Sequence, residues 1–166
     1  MPAWVRAIDG LVEVIGRAVS WLTLAIVVLM ASNVVLRYLF SVGSVWSQEL
    51  EWHLLAPLIM FGISYALAHG EHVRVDVLYA NFSERSKARI DFVSALLSVA
   101  ISVLFIWVSL KYVAQSFAID EQSSDPGGLT HRWVLKALIP AGFTLLAVQS
   151  VAMAAKQLLR MRATTR

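Results

Sequence analysis

The chain contains no cysteine. That excludes a disulfide framework, a thiolate metal site and a cysteine nucleophile. Charge is also scarce: Asp, Glu, Lys and Arg make up 15% of the 166 residues, where soluble domains carry about 25%. The scarcity is concentrated in four places. Ala18 to Leu36, Trp52 to Gly70, Phe92 to Leu110 and Ala137 to Ala155 hold none of these residue types. No long repeat or low-complexity tract is present. The net charge of +3 is too small and too scattered to point to a nucleic acid partner.

What is present is mostly apolar, at 58% of residues. A water-soluble core of this size cannot hide so much apolar surface. Each charge-free run has 19 residues, about 28 Å as a helix, close to the roughly 30 Å hydrocarbon core of a bilayer. Lipid supplies no hydrogen-bond partners, so each run must satisfy its own backbone as a helix. The expected fold is an all-α membrane protein, one domain over 1–166, with four transmembrane helices near 18–36, 52–70, 92–110 and 137–155. The first run is too long for the core of a secretion signal, and Asp9 and Glu13 precede it, so it is read as a retained span.

An even number of spans puts both termini on one side. That side collects Arg6, Arg17, Arg74, Arg85, Lys87, Arg89, Lys156, Arg160, Arg162 and Arg166. The other holds Arg37, Lys111, Arg132 and Lys136. The excess of basic residues predicts cytoplasmic termini and a cytoplasmic central loop. In residues 1–17, Trp4, Val5, Ile8, Leu11, Val12 and Ile15 recur at helical spacing opposite Arg6, Asp9, Glu13 and Arg17. This predicts an amphipathic helix at the inner membrane surface; a plain extension of the first span is the alternative.

On the outer side, Ser41 to Glu51 reads as an interfacial turn, with Trp46 and Trp52 at headgroup level. Arg37 ends the first span, and Glu49 or Glu51 is its expected ion-pair partner, unless Arg37 reaches up to lipid phosphates. The run Ser-Ser-Asp-Pro-Gly-Gly at 123–128 is turn chemistry, with Thr130 as the expected cap of the fourth helix. Gly62, Ala66 and Gly70, and likewise Ser94, Ser98 and Ser102, lie four apart as candidate helix-packing stripes. Pro57 and Pro140 each remove one helical hydrogen bond, and the deeper Pro57 is the expected site of a kink.

The polar stretch Gly-Glu-His-Val-Arg-Val-Asp-Val-Leu-Tyr at 70–79 has two readings. Its alternation sets Arg74 and Asp76 opposite Val73, Val75 and Val77, as in a short extended connection facing water or a partner. The catalytic alternative lacks a nucleophile and a metal spacing. The spans carry no ionisable machinery at mid-depth, so a self-contained carrier is not expected.

Four stretches carry a family resemblance: Asn-Val-Val-Leu-Arg-Tyr-Leu-Phe at 33–40, Trp-Ser-Gln-Glu-Leu at 46–50, the stretch at 70–79, and Trp-Val-Leu-Lys-Ala-Leu-Ile-Pro-Ala-Gly-Phe at 133–143 followed by Gln149. Together they resemble the small membrane subunit of tripartite ATP-independent periplasmic (TRAP) transporters. The resemblance implies a bacterial inner-membrane complex for sodium-driven uptake of organic acids. Its other parts are a large multi-span subunit that carries the substrate and a periplasmic substrate-binding protein. The small subunit is then a scaffold set in membrane lipid, without a cofactor or enzymatic step of its own. The matching positions are Arg37, Trp46, Glu49, Gly70, His72, Val73, Asp76 and Pro140. The family often has two adjacent acids where this chain has Gln48 and Glu49, and Glu51 projects in a different direction. The competing readings are a four-helix cytochrome b-like protein with haem between His53 and His131, and a scaffold for another membrane complex.

Overall fold

The computed structural model describes residues 1–71 and 82–163. Four helices follow in order: α1 (Ala3–Phe40), α2 (Val45–His69), α3 (Glu84–Ala118) and α4 (Arg132–Ala163). All four are long and apolar enough to cross a membrane. They exceed the charge-free runs because polar turns continue each helix beyond the hydrocarbon. The structure therefore moves the expected turn at 41–51: helix begins at Val45 and takes in Trp46, Glu49 and Glu51. The α1–α2 connection is only residues 41–44, where Ser41 adopts φ 54° and the Val42 N–H closes onto Leu36 O at 3.1 Å.

Long-range contacts fix the arrangement. α1 and α2 are antiparallel neighbours: Gly16 abuts the Tyr65 ring, and Asn33 bonds Glu51. α3 and α4 are also antiparallel, with Phe105 stacked on Phe143 at 4.7 Å and Phe117 edge-on to Trp133 at 5.4 Å. α2 and α4 run parallel, and Gly142 sits against Met60. α4 is thus the hub. It touches the other three helices among the described residues, whereas α3 packs principally on α4.

The α3–α4 seam shows why sequence spacing mattered. Ala88, Asp91, Ala95, Ser102, Ser109 and Ser116 are the buried residues of α3, recurring in steps of three, four and seven. Those steps keep side chains on one helix face, while a strict four-residue step overshoots each turn by about 40°. Hence Ser98 and Ser102 face the seam, where Ser150 Oγ lies 3.0 Å from Ser98 Oγ, but Ser94 is exposed. The stripe Gly62, Ala66 and Gly70 fails for the same reason within this chain: a Cβ on Gly62 would meet open space. Gly70 instead ends α2 at φ 75°, with the Glu71 N–H returning to Ala66 O at 3.0 Å. Close approach occurs at Gly16 and Gly142. α2 passes through Pro57, and α4 through Pro140, as single helices.

Residues 3–17 are not set off as a separate helix; they continue into the first span. Val5, Asp9, Val12 and Gly16 share one face. Val5, Val12 and Gly16 are buried, and Asp9 Oδ1 accepts from Gln149 Nε2 at 3.0 Å and Lys156 Nζ at 2.6 Å. Part of the amphipathic pattern is thus spent on protein packing, while Trp4 and Leu11 remain exposed. Asp9→Ala is expected to cost about 1.5–3 kcal/mol, the range for hydrogen bonds to charged groups. Amide exchange should speed up in residues 3–17 and stay unchanged in α3; equal acceleration in α3 would show that this clasp is not local.

Candidate functional site at the loop end

At the end opposite the termini, the 119–131 loop is fastened across the helix ends. Glu49, in the second turn of α2, is 5% exposed. It accepts from the Ser123 hydroxyl and, at 2.6 Å, from the Leu129 N–H. Arg132 Nη2 lies 3.8 Å away. A carboxylate is suited to this place because it accepts several bonds at once and balances the guanidinium. The loop also closes on itself: the Ser123 N–H donates to Leu129 O at 3.1 Å, and the Arg132 N–H to Glu121 O at 3.0 Å. A Cβ on Gly128 would clash with the Ser123 side chain and lie 2.7 Å from Glu49 Oε2, so the tight turn requires glycine there.

The start of α4 differs from expectation. Thr130 does not cap it; Thr130 Oγ1 lies 2.9 Å from His131 Nδ1. His131 takes φ 59°, and Arg132, the first residue of α4, reaches back to the loop through its N–H to Glu121 O. Beside it, Lys136 donates to Glu121 and lies 3.9 Å from the centre of the Tyr112 ring. These groups border a recess of about 380 Å³ walled by Trp52, Met60 and Ile139.

The Lys136 ammonium holds the Glu121 carboxyl below its ordinary value of 4.5. A carboxyl with a depressed folded pKa adds stability above its unfolded pKa and loses it as pH falls through the folded value. Protease cleavage in the 119–131 loop should therefore be flat from pH 7 to about 5 and rise below about 4, around the unperturbed carboxyl range. A rise beginning near pH 6 would point to histidine instead.

The expected Arg37 ion pair is not formed with either carboxylate. Glu49 is occupied by Ser123, Leu129 and Arg132. Glu51 accepts from Asn33 Nδ2 at 2.6 Å, while Arg37 is exposed in the last turn of α1. The sequence-near arginine lost to a sequence-distant one because the α2–α4 contact brings Arg132 over Glu49. Trp46 is 48% exposed near the α2 start. Pro140 lies inside α4, its carbonyl taken by the Thr144 hydroxyl at 2.7 Å. His72, Val73, Arg74 and Asp76, and the extended connection expected there, lie outside the described residues. Sequence reasoning missed Ser123, Arg132, Asp9 and Lys156 as contacts, and Gly16 and Gly142 as packing sites.

The histidines of the haem alternative have local roles. His53 Nδ1 donates to Glu49 O at 2.8 Å, and His131 Nδ1 meets Thr130. Among the described residues, no group of three or more His, Cys, Asp or Glu is placed to hold a metal ion.

Four spans free of charged residues, tied together by polar groups at both ends, define a multi-pass membrane protein braced as a unit. Comparison with known proteins supplies its family. The chain belongs to the family described as "Tripartite ATP-independent periplasmic transporters, DctQ component", whose model matches residues 26–160. It is a TRAP-type small membrane component, a multi-pass protein of the inner membrane. It is 33% identical over 119 residues to the sialic acid TRAP transporter permease protein SiaT of Haemophilus influenzae, covering 70% of this chain and 18% of SiaT. It is 29% identical over 158 residues to the uncharacterized protein y4mM of Sinorhizobium fredii, covering 90% of this chain and 27% of that protein. The chain thus spans about a quarter or less of these relatives.

Proposed function

We propose that this chain scaffolds a large substrate-translocating membrane component of a TRAP transporter and helps to dock a periplasmic substrate-binding protein. The observation that carries this reading is the absence of charged residues from all four span interiors, in a member of a transporter family. A carrier that moves substrate and ions needs polar groups at mid-depth. The buried polar residues within the charge-free runs are Ser64, Ser102, Ser109, Gln149 and Ser150. The basic excess around the termini supports their cytoplasmic placement. The 119–131 loop then faces the periplasm, where a binding protein arrives. Trp4 and Leu11 on the outer face of α1 are suited to the inner headgroup layer.

The transported solute is proposed to be an organic acid taken up with sodium. The class fits the name of SiaT, sialic acid being such an acid. Liposomes containing only this chain should show no organic acid uptake above protein-free controls under a sodium gradient. Adding the large component and the binding protein should restore uptake. Flux through the lone chain would overturn the proposal.

A further inference from the structure

We propose that the open face formed by α1 and α2 seats a transmembrane helix of the large component, and that this helix brings a cationic side chain to Glu51. The proposal rests on the scaffold reading above and specifies which face of the scaffold meets its partner.

The first observation is an imbalance of burial. The most apolar stretch of α1 has no buried residue, whereas 39% of the corresponding stretch of α4 is buried. Between α1 and α2 runs an open groove of about 560 Å³, walled by Trp21, Leu24, Val28 and Leu29 on one side and Leu50 and Leu54 on the other. Lipid chains alone can fill such a groove, so its apolar lining does not choose the occupant.

Glu51 does. The Asn33 amide donates to Glu51 Oε1 at 2.6 Å. Asn33 lies three residues inside the charge-free run that ends at Leu36, about 4.5 Å along the helix. The bond therefore ties a carboxylate to the level of the hydrocarbon boundary. No cation among the described residues forms an ion pair with it. Arg37, one turn further out on α1, is exposed and does not reach it. Asn33 supplies a single neutral donor, which leaves the charge of the half-buried Glu51 uncompensated next to Leu50, which lines the groove. A carboxylate held at the hydrocarbon boundary without a counter-charge is costly, and ionisable groups near the membrane interior pair with one another or with protein partners. A cation on a helix seated in the groove would satisfy Glu51 and cover the apolar wall together.

The outward face of α3 is the contrast. Leu97, Ile101, Leu104 and Val108 are exposed there, while Ser102, Ser109 and Ser116 are buried. That surface asks nothing of its surroundings beyond hydrocarbon, so it is the lipid side of the scaffold.

The absence of native cysteine makes a direct test possible. Val28→Cys and Leu54→Cys sample the groove; Leu97→Cys and Leu104→Cys sample α3. Each full-length variant is co-expressed with the large membrane component of the same transporter, labelled with a benzophenone maleimide in membranes, and illuminated. Crosslinks to the large component are expected from the two groove positions and not from α3. In parallel, Glu51→Leu should lower co-purification of the large component at least tenfold, and Glu51→Gln, which keeps a partner for Asn33, should lower it less. Protein crosslinks from α3 alone, or groove adducts only with lipid or a second copy, would overturn the face assignment. Undiminished co-purification of Glu51→Leu would overturn the role of the carboxylate. Failure of the unmodified chain to retain any large component would instead remove the scaffold reading beneath both.

Discussion

Glu49→Ala is expected to release the 119–131 loop from the helices beneath it. The substitution removes the acceptor of the Leu129 N–H and the Ser123 hydroxyl, and the counter-charge facing Arg132. Deleting one member of a buried polar cluster costs more than the bond itself, because the remaining donors are stranded. Amide exchange at Leu129 should accelerate by tenfold or more, on the order expected for local opening of a bond to a charged acceptor. Glu49→Gln, retaining one carbonyl oxygen and a donor that the Ser123 hydroxyl can accept, should have a smaller effect. The helices should stay intact in both variants, so circular dichroism separates loop release from general unfolding. Unchanged exchange at Leu129 in Glu49→Ala would show that the loop is held by its internal bonds alone.

The second large effect is expected at Gly142. A Cβ there would stand 2.7 Å from Met60 Cβ and 2.9 Å from the Met60 carbonyl oxygen. Backbone cannot move aside as a flexible side chain can, so α2 and α4 must separate. Gly142→Leu should therefore cost about 3 kcal/mol, the upper end of the usual overpacking range. The expected readout is a lower temperature for loss of monodisperse protein in detergent. Gly62→Leu is the matched control: its Cβ meets nothing within 4 Å, so the isolated chain should tolerate it. Equal destabilisation by the two would contradict the parallel α2–α4 contact.

Much of this architecture was legible in the sequence because lipid imposes a simple rule. Runs such as Phe92 to Leu110 must be helices, and their number and spacing required no knowledge of side-chain contacts. The family resemblance rested on local stretches and was equally readable. Contacts between distant stretches were not. Glu49 meets Leu129, 80 positions away, and nothing near either residue marks the pairing. Proximity along the chain made Arg37 the natural partner, but Gly142 against Met60 aligns α4 so that Arg132 takes the place. Asp9 read as part of a solvated face, yet α4 supplies Lys156 and Gln149 to receive it. Equal spacing overvalued Gly62 and Ser94, while the isolated Gly16 and Gly142 offered no pattern to notice.

The position of α4 bears on biogenesis. α4 meets the other three described helices and follows them in the chain, so a nascent chain stopped before Arg132 holds the α1–α2 pair and α3 without the element that joins them. The amino-terminal Asp9 waits for Lys156, 147 positions later, before its charge is matched. Assembly should accordingly wait on α4, and products truncated before it should be recognised by membrane quality-control proteases as a helix pair with an unjoined third helix.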